Sequence, residues 1–92
     1  MENNKYKVKD EYLLKEVAGE YIVVPVGKEA ISFQGIINLN ETSKLLFENL
    51  KEPKTINDLA NILTNNYEVD FEIAKNDVVN FIKTLEENNI LE

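Results

Sequence analysis

The chain has 92 residues and contains no cysteine or histidine. Its net charge is −7, and all of its basic residues are lysines. One modest domain fits this length, and the missing residue types exclude disulfides, thiolate metal sites, thiol nucleophiles and histidine general bases. The acidity and the lack of arginine disfavour nucleic acid, and no apolar run approaches the roughly 18 residues of a membrane span.

The N-terminal end is polar, so it lacks the apolar core of a secretion signal and we expect a cytoplasmic protein. Residues 1–10 are charged and show no periodicity. They are therefore expected to form a flexible lead-in to a single domain over residues 11–92.

Two strands are predicted after the lead-in. Residues 13–18 alternate loosely, and residues 21–26 are rich in β-branched and aromatic side chains. The pair Gly19-Glu20 between them predicts a hairpin. Pro25 has no N–H for a ladder, so we expect it at a sheet edge or a strand end.

A third strand is predicted just before the helical part of the chain. Residues 30–33 are compatible with a short extended bridge, which Gly35 interrupts. Residues 36–39 are apolar at adjacent and alternate positions, which indicates a further strand.

Polar residues mark the starts of three predicted helices. Asn40 is a good N-cap for the first helix, which Pro53 ends. Thr55 begins the second helix, with Asp58 three residues later as in a capping box. Asp70 is the expected cap of the third helix.

The third helix is the longest, at about residues 70–88. At 100° per residue its apolar positions fall on one arc, which is the predicted core face. Val79 lies off this arc, flanked by Lys75 and Lys83. The core-face residues are Phe71, Ala74, Val78, Phe81, Ile82 and Leu85.

Three strands followed by three helices predict an α+β fold with a small antiparallel sheet. The helices must then cover one face of that sheet. Two short helices followed by one long helix resemble a winged helix-turn-helix.

Catalysis is not expected. The acidic residues fall mostly on predicted solvent faces, the three glycines are too scattered for a phosphate loop, and the serines and threonines have no histidine to activate them. We therefore predict no enzyme activity, no metal and no cofactor. Asp77 borders the core arc of the last helix, and a structural role is favoured for it over ligand contact.

Binding remains as a function. A three-stranded sheet has open edges, and the strand near residues 36–39 beside the long helix would form a groove. An extended peptide could add to that edge through main-chain hydrogen bonds. The alternative is that the chain itself covers this edge and Val79.

Several segments resemble one known family, the pyrroloquinoline quinone biosynthesis protein D (PqqD) family. The resemblance covers about residues 11–92. It is carried by GEYIVVP at residues 19–25, LNET at 39–42, TINDL at 55–59 and DVVNFI at 77–82, with Tyr67, Leu85, Ile90 and Leu91.

The resemblance implies a winged-helix recognition domain for precursor peptides. Such a domain binds the leader segment of a ribosomally made peptide as a strand between the third strand and the third helix. It then presents the peptide to a modifying enzyme, often a radical S-adenosylmethionine enzyme. This chain has no cysteine for an iron–sulfur cluster, so that enzyme would be a separate polypeptide.

The resemblance also implies where the peptide lies. The lysines beside Val79 suggest a preference for acidic leader residues. The expected contacts are Gly35, Ile36, Ile37, Asn38 and Leu39 on the strand, and Lys75, Val79, Ile82 and Lys83 on the helix.

Two other functions stay open. A winged helix also suits a DNA-binding regulator, although the net charge and the missing arginines oppose it. An assembly subunit without a peptide ligand would have the same composition. An unoccupied sheet edge permits either a monomer or an edge-paired or swapped dimer.

Overall fold

The computed structural model describes residues 4–27 and 37–92. Within them an antiparallel sheet is followed by three helices, which confirms the predicted α+β layout. The expected bridge at residues 30–33, and Gly35 and Ile36 of the third strand, lie outside the described residues. The elements are β1 (Tyr12–Val17), β2 (Glu20–Pro25), β3 (Ile37–Leu39), α1 (Glu41–Asn49), α2 (Ile56–Asn66) and α3 (Phe71–Glu87).

The predicted hairpin between β1 and β2 forms, but its turn lies one residue earlier than the expected Gly19-Glu20. Val17 pairs with Glu20, and the two residues between them, Ala18 and Gly19, have φ values of 53° and 80°. Two successive positive φ values are typical of a type I′ turn, whose twist matches that of the flanking strands. Pro25 is the last residue of β2, as its missing N–H requires.

The core lies between one face of the sheet and the helices. Val23 on β2 and Leu39 on β3 point into it, together with Leu46, Leu59 and other apolar residues of all three helices. Helices α2 and α3 pack against each other, while α1 contacts β1 and β3. This arrangement leaves β3 close to the start of α1, and within residues 4–27 and 37–92 no strand pairs with its outer side.

The segment predicted as a flexible lead-in is attached to the fold over its described part. Val8 is fully buried, and its N–H donates to the Leu50 carbonyl at 2.9 Å. Tyr6 bridges to Lys54, and Val8 bridges to Leu91. The sequence did not indicate this because one buried valine among charged residues produces no periodic pattern.

The helix starts follow the predicted caps with one exception. The Ser43 N–H donates to Asn40 Oδ1 at 2.8 Å. The Asp58 N–H donates to Thr55 Oγ1, and the Thr55 N–H donates to Asp58 Oδ2, both at 3.0 Å. Asp70 occupies the N-cap position of α3 but makes no side-chain capping bond there, so that part of the prediction is wrong.

The core face of α3 agrees with the predicted arc except at its first position. Ala74, Val78 and Phe81 are buried, as are the two later positions of the arc. Phe71 is 37% exposed. It is the first residue of the helix, where periodicity alone does not tell whether the core extends that far.

The capping box of α2 predicts a pH-dependent stability. The pKa of Asp58 is lowered mainly by the hydrogen bond from the Thr55 N–H and, to a smaller extent, by the hydrogen bond with the Thr55 side chain. A carboxyl whose folded pKa is depressed contributes stability above its unfolded pKa and loses that contribution as the pH falls through the folded pKa. We therefore expect Asp58→Asn to be less stable than wild type at neutral pH. Urea unfolding at several pH values should show the difference shrinking in acid, and a constant difference would contradict this origin.

Candidate functional site

A groove of about 400 Å³ runs between β3 and α3. Its walls come from three elements: the whole of β3, the start of α1 and one side of α3. The residues that line it are Ile37, Asn38, Leu39, Asn40, Thr42, Ser43, Leu46, Asp77, Asn80, Phe81 and Thr84.

The strand wall of this groove is a sheet edge. The sheet order is β1-β2-β3, and within the described residues β3 pairs only with β2. Successive residues of a strand direct their N–H and C=O groups to opposite sides in the plane of the sheet. Part of the Ile37–Leu39 backbone is therefore available to hydrogen-bond an added strand.

The groove is apolar at its base and polar along its rim. Leu39, Leu46 and Phe81 are buried core residues, and Ile37 packs against the same core. Two rim groups are already engaged, since Asn40 Oδ1 accepts the Ser43 N–H, and the Thr84 hydroxyl donates to the Asn80 carbonyl at 3.1 Å. An apolar base with a few polar groups around it is the usual composition of a ligand groove.

The strand residues of the predicted site lie in this groove, but the predicted helix residues do not. Ile37, Asn38 and Leu39 line it, whereas Gly35 and Ile36 lie outside the described residues. Ile82 is 3% exposed and belongs to the core. Lys75, Val79 and Lys83 are absent from the lining.

The orientation of α3 about its own axis accounts for this difference. The core arc of α3 has two flanks, one containing Val79 and the other containing Asp77, Asn80 and Thr84. At 100° per residue, Val79 lies roughly 100–160° from every lining residue of the helix. The structure turns the Asp77 flank towards β3.

Asp77, Asn80 and Thr84 are the functional candidates on α3 that sequence reasoning missed. Their spacing of three and four residues marks one face of a helix, and Asp77 was noted as bordering the core arc. This helical spacing was visible in the sequence, but residues on the Val79 flank show a similar spacing, so it did not indicate which flank lines the groove. Asp77 and Asn80 are exposed, as groups that contact a ligand must be.

The groups with shifted pKa values lie outside the groove lining. Hydrogen bonds to Glu92 and then Asp10 raise the pKa of Lys7, burial lowers that of Lys51, and the cap lowers that of Asp58. Within residues 4–27 and 37–92, no group of three acidic side chains is placed to hold a metal ion. The groove lining offers hydrogen-bonding groups, apolar surface and one carboxylate, that of Asp77.

No helix in the described part of the chain has both the length and the apolar character to cross a bilayer.

Three solved structures share this fold across nearly the whole chain. The first is a lasso peptide synthetase B1 complexed with the leader peptide, with a TM-score of 0.73, 22% identity, and coverage of 95% of this chain and 96% of that one. The second is TbiB1 in complex with the TbiA(beta) leader peptide, with a TM-score of 0.74, 17% identity, and 94% of each chain covered.

The third is the solution structure of the PqqD truncation of Methylobacterium extorquens PqqCD. It represents a functional and stand-alone recognition element for ribosomally synthesized and post-translationally modified peptides. Its TM-score is 0.76 at 15% identity, covering 100% of this chain and 93% of that one. At these identities the likeness concerns the fold alone.

Family membership comes from the sequence itself. No curated protein matches the chain. The model of one family, coenzyme PQQ synthesis protein D, matches residues 12–91, which is most of the chain and includes both walls of the groove. The chain therefore belongs to the coenzyme PQQ synthesis protein D (PqqD) family.

Proposed function

We propose that this protein binds the leader segment of a ribosomally synthesised precursor peptide as an added strand on the outer edge of β3. The observation that carries the proposal is that edge, with an apolar groove directly beside it. Strand addition uses the main chain for affinity and alternate side chains for specificity. The family match supports the proposal, as do two structures of the same fold that contain leader peptides.

The dimensions of the groove suit a short extended peptide. A few main-chain hydrogen bonds at about 1 kcal/mol each and two aliphatic side chains at roughly 2 kcal/mol each would favour binding. Ordering the peptide and losing its free motion offset a large part of this sum. The net is therefore below the sum, and we expect micromolar or weaker affinity, since a dissociation constant of 1 μM corresponds to roughly 8 kcal/mol.

The protein would serve as a cytoplasmic, non-catalytic recognition domain that presents the leader to a separate modifying enzyme. These 92 residues contain no cysteine, so they supply no thiolate for the iron–sulfur cluster of a radical S-adenosylmethionine enzyme. The described residues also offer no acidic metal site. The chemistry would thus take place on the partner, with β3 and α3 holding the leader.

Amide-shift titration tests the proposal directly. The ¹⁵N-labelled protein is titrated with the leader half of a precursor peptide encoded beside its gene. We expect saturable shifts at Ile37–Leu39 and at Asp77, Asn80 and Thr84 of α3. A scrambled peptide of equal composition is the control. Shifts confined to the β1 edge, or equal shifts with the scrambled peptide, would refute strand addition at β3.

A further inference from the structure

The charge inside the groove has one sign. Asp77 is the only charged residue among the described residues that line it. Within the described part of the chain, no hydrogen bond or ion pair reaches the Asp77 carboxylate. A carboxylate in its charged form offers only acceptors. The α3 wall therefore presents a negative acceptor to whatever lies in the groove.

The lysines on α1 and α3 do not line the groove. Lys44 on α1 lies 3.8 Å from Glu48 and 4.9 Å from the centre of the Tyr21 ring, and it is not a lining residue. Lys75 is on the opposite flank of α3, roughly 160° from Asp77 at 100° per residue. Lys83 is also absent from the lining. The net charge of −7 adds a long-range attraction for basic peptides.

We propose that the groove selects leader segments with a lysine or arginine two residues away from an aliphatic residue. This inference rests on the proposed function, because it concerns the peptide that adds to β3. Side chains at positions i and i+2 of an added strand point to the same side and lie about 7 Å apart. The aliphatic side chain packs on Ile37, Leu39 and Phe81, and the basic side chain binds the Asp77 carboxylate.

This preference is opposite to the one inferred from the lysines beside Val79. Those lysines suggested acidic leader residues, but the flank that carries them is not the flank that lines the groove. The other explanation of Asp77 is that it only contributes to solubility. The two explanations differ in whether a change at Asp77 alters the sequence of the bound peptide.

Selection from a phage-displayed library of random dodecapeptides provides a test that does not require the leader to be identified first. The baits are the wild type, Asp77→Asn, Asp77→Lys and Glu86→Gln. Glu86 is an exposed carboxylate on the same helix and roughly 180° from Asp77, which makes it a matched control. Circular dichroism and amide spectra of each bait verify that it is folded.

We expect wild type and Glu86→Gln to enrich lysine or arginine two positions from an aliphatic residue. Asp77→Asn should lose this enrichment, and Asp77→Lys should enrich aspartate or glutamate at the same position. For one selected peptide, replacing its basic residue by glutamate should weaken binding to wild type by roughly two- to fivefold at low salt, and strengthen binding to Asp77→Lys. Both effects should fade near 1 M salt, where the screening length is about 3 Å.

The outcomes separate this inference from the proposed function. Two results would overturn the inference and leave leader binding at β3 unaffected. In the first, the selected peptides shift the amide signals of β3 but contain no enriched basic residue. In the second, Asp77→Lys selects the same basic residues as wild type. If no bait enriches a peptide that shifts the amide signals of β3, both this inference and the proposed function are overturned.

Discussion

Replacing Asn80 by tryptophan should weaken leader binding by roughly 30-fold while leaving the fold intact. Asn80 is exposed on the α3 wall of the groove, so a bulky indole there would occupy the space meant for a peptide side chain. Losing one buried aliphatic side chain costs about 2 kcal/mol, which corresponds to this factor. Asparagine and tryptophan have similar helix propensities, so little change in helix stability is expected.

Fluorescence anisotropy with a labelled leader peptide measures the effect. The matched control is Asn61→Trp, which places the same side chain on the exposed surface of α2, outside the groove lining. Thermal unfolding of both variants shows whether the fold is kept. Equal affinities of Asn80→Trp and wild type, with both folded, would mean that the leader does not lie between β3 and α3.

Replacing Val8 by aspartate should destabilise the whole domain by about 3–5 kcal/mol, the cost of an uncompensated charge in a core. Val8 is fully buried, and neighbouring backbone groups hold it there: the Lys9 N–H donates to the Ile90 carbonyl and the Glu92 N–H donates to the Lys7 carbonyl, each at 2.8 Å. The free energy of unfolding of a domain of this size is about 5–14 kcal/mol in total. At the low end of this range, the loss leaves a large share of the molecules unfolded.

Urea unfolding followed by circular dichroism measures this loss of stability. Val8→Ala should cause a smaller loss of about 2 kcal/mol, because it removes two carbons and leaves a cavity. Lys5→Asp is the matched control, since Lys5 is exposed and surface changes are usually worth less than about 0.5 kcal/mol. Unchanged stability of both Val8 variants would mean that the N-terminal segment does not pack on the domain in solution.

Which flank of α3 faces β3 determines which charges a bound leader peptide would meet. The flank with Lys75 and Val79 carries both signs of charge, since Glu86 lies on it as well, and the groove flank carries Asp77. An assignment of specificity from sequence therefore depends on the choice of flank. The rotation of α3 about its own axis has to be known before its charges are interpreted.

Local features of this protein were predictable from the sequence because neighbouring residues produce them. The hairpin of β1 and β2, whose turn was expected one residue later, the cap at Asn40 and the capping box of Thr55 with Asp58 depend on contacts within a few residues. The buried arc of α3 follows in the same way from helical periodicity. Together with the strand-then-helix order, these features were enough to predict the α+β class and a groove beside the third strand.

Only the tertiary structure decided which flank of α3 faces β3 and whether the N-terminal segment packs. A helical pattern defines the buried arc but treats its two sides alike, and the contact of α3 with α2 and the sheet determines which side meets the groove. The burial of Val8 depends on Leu50 and Leu91, which are distant in the chain. Contacts of this kind leave no local periodicity, and for that reason the helix residues that line the groove and the attached N-terminus appeared only in the folded chain.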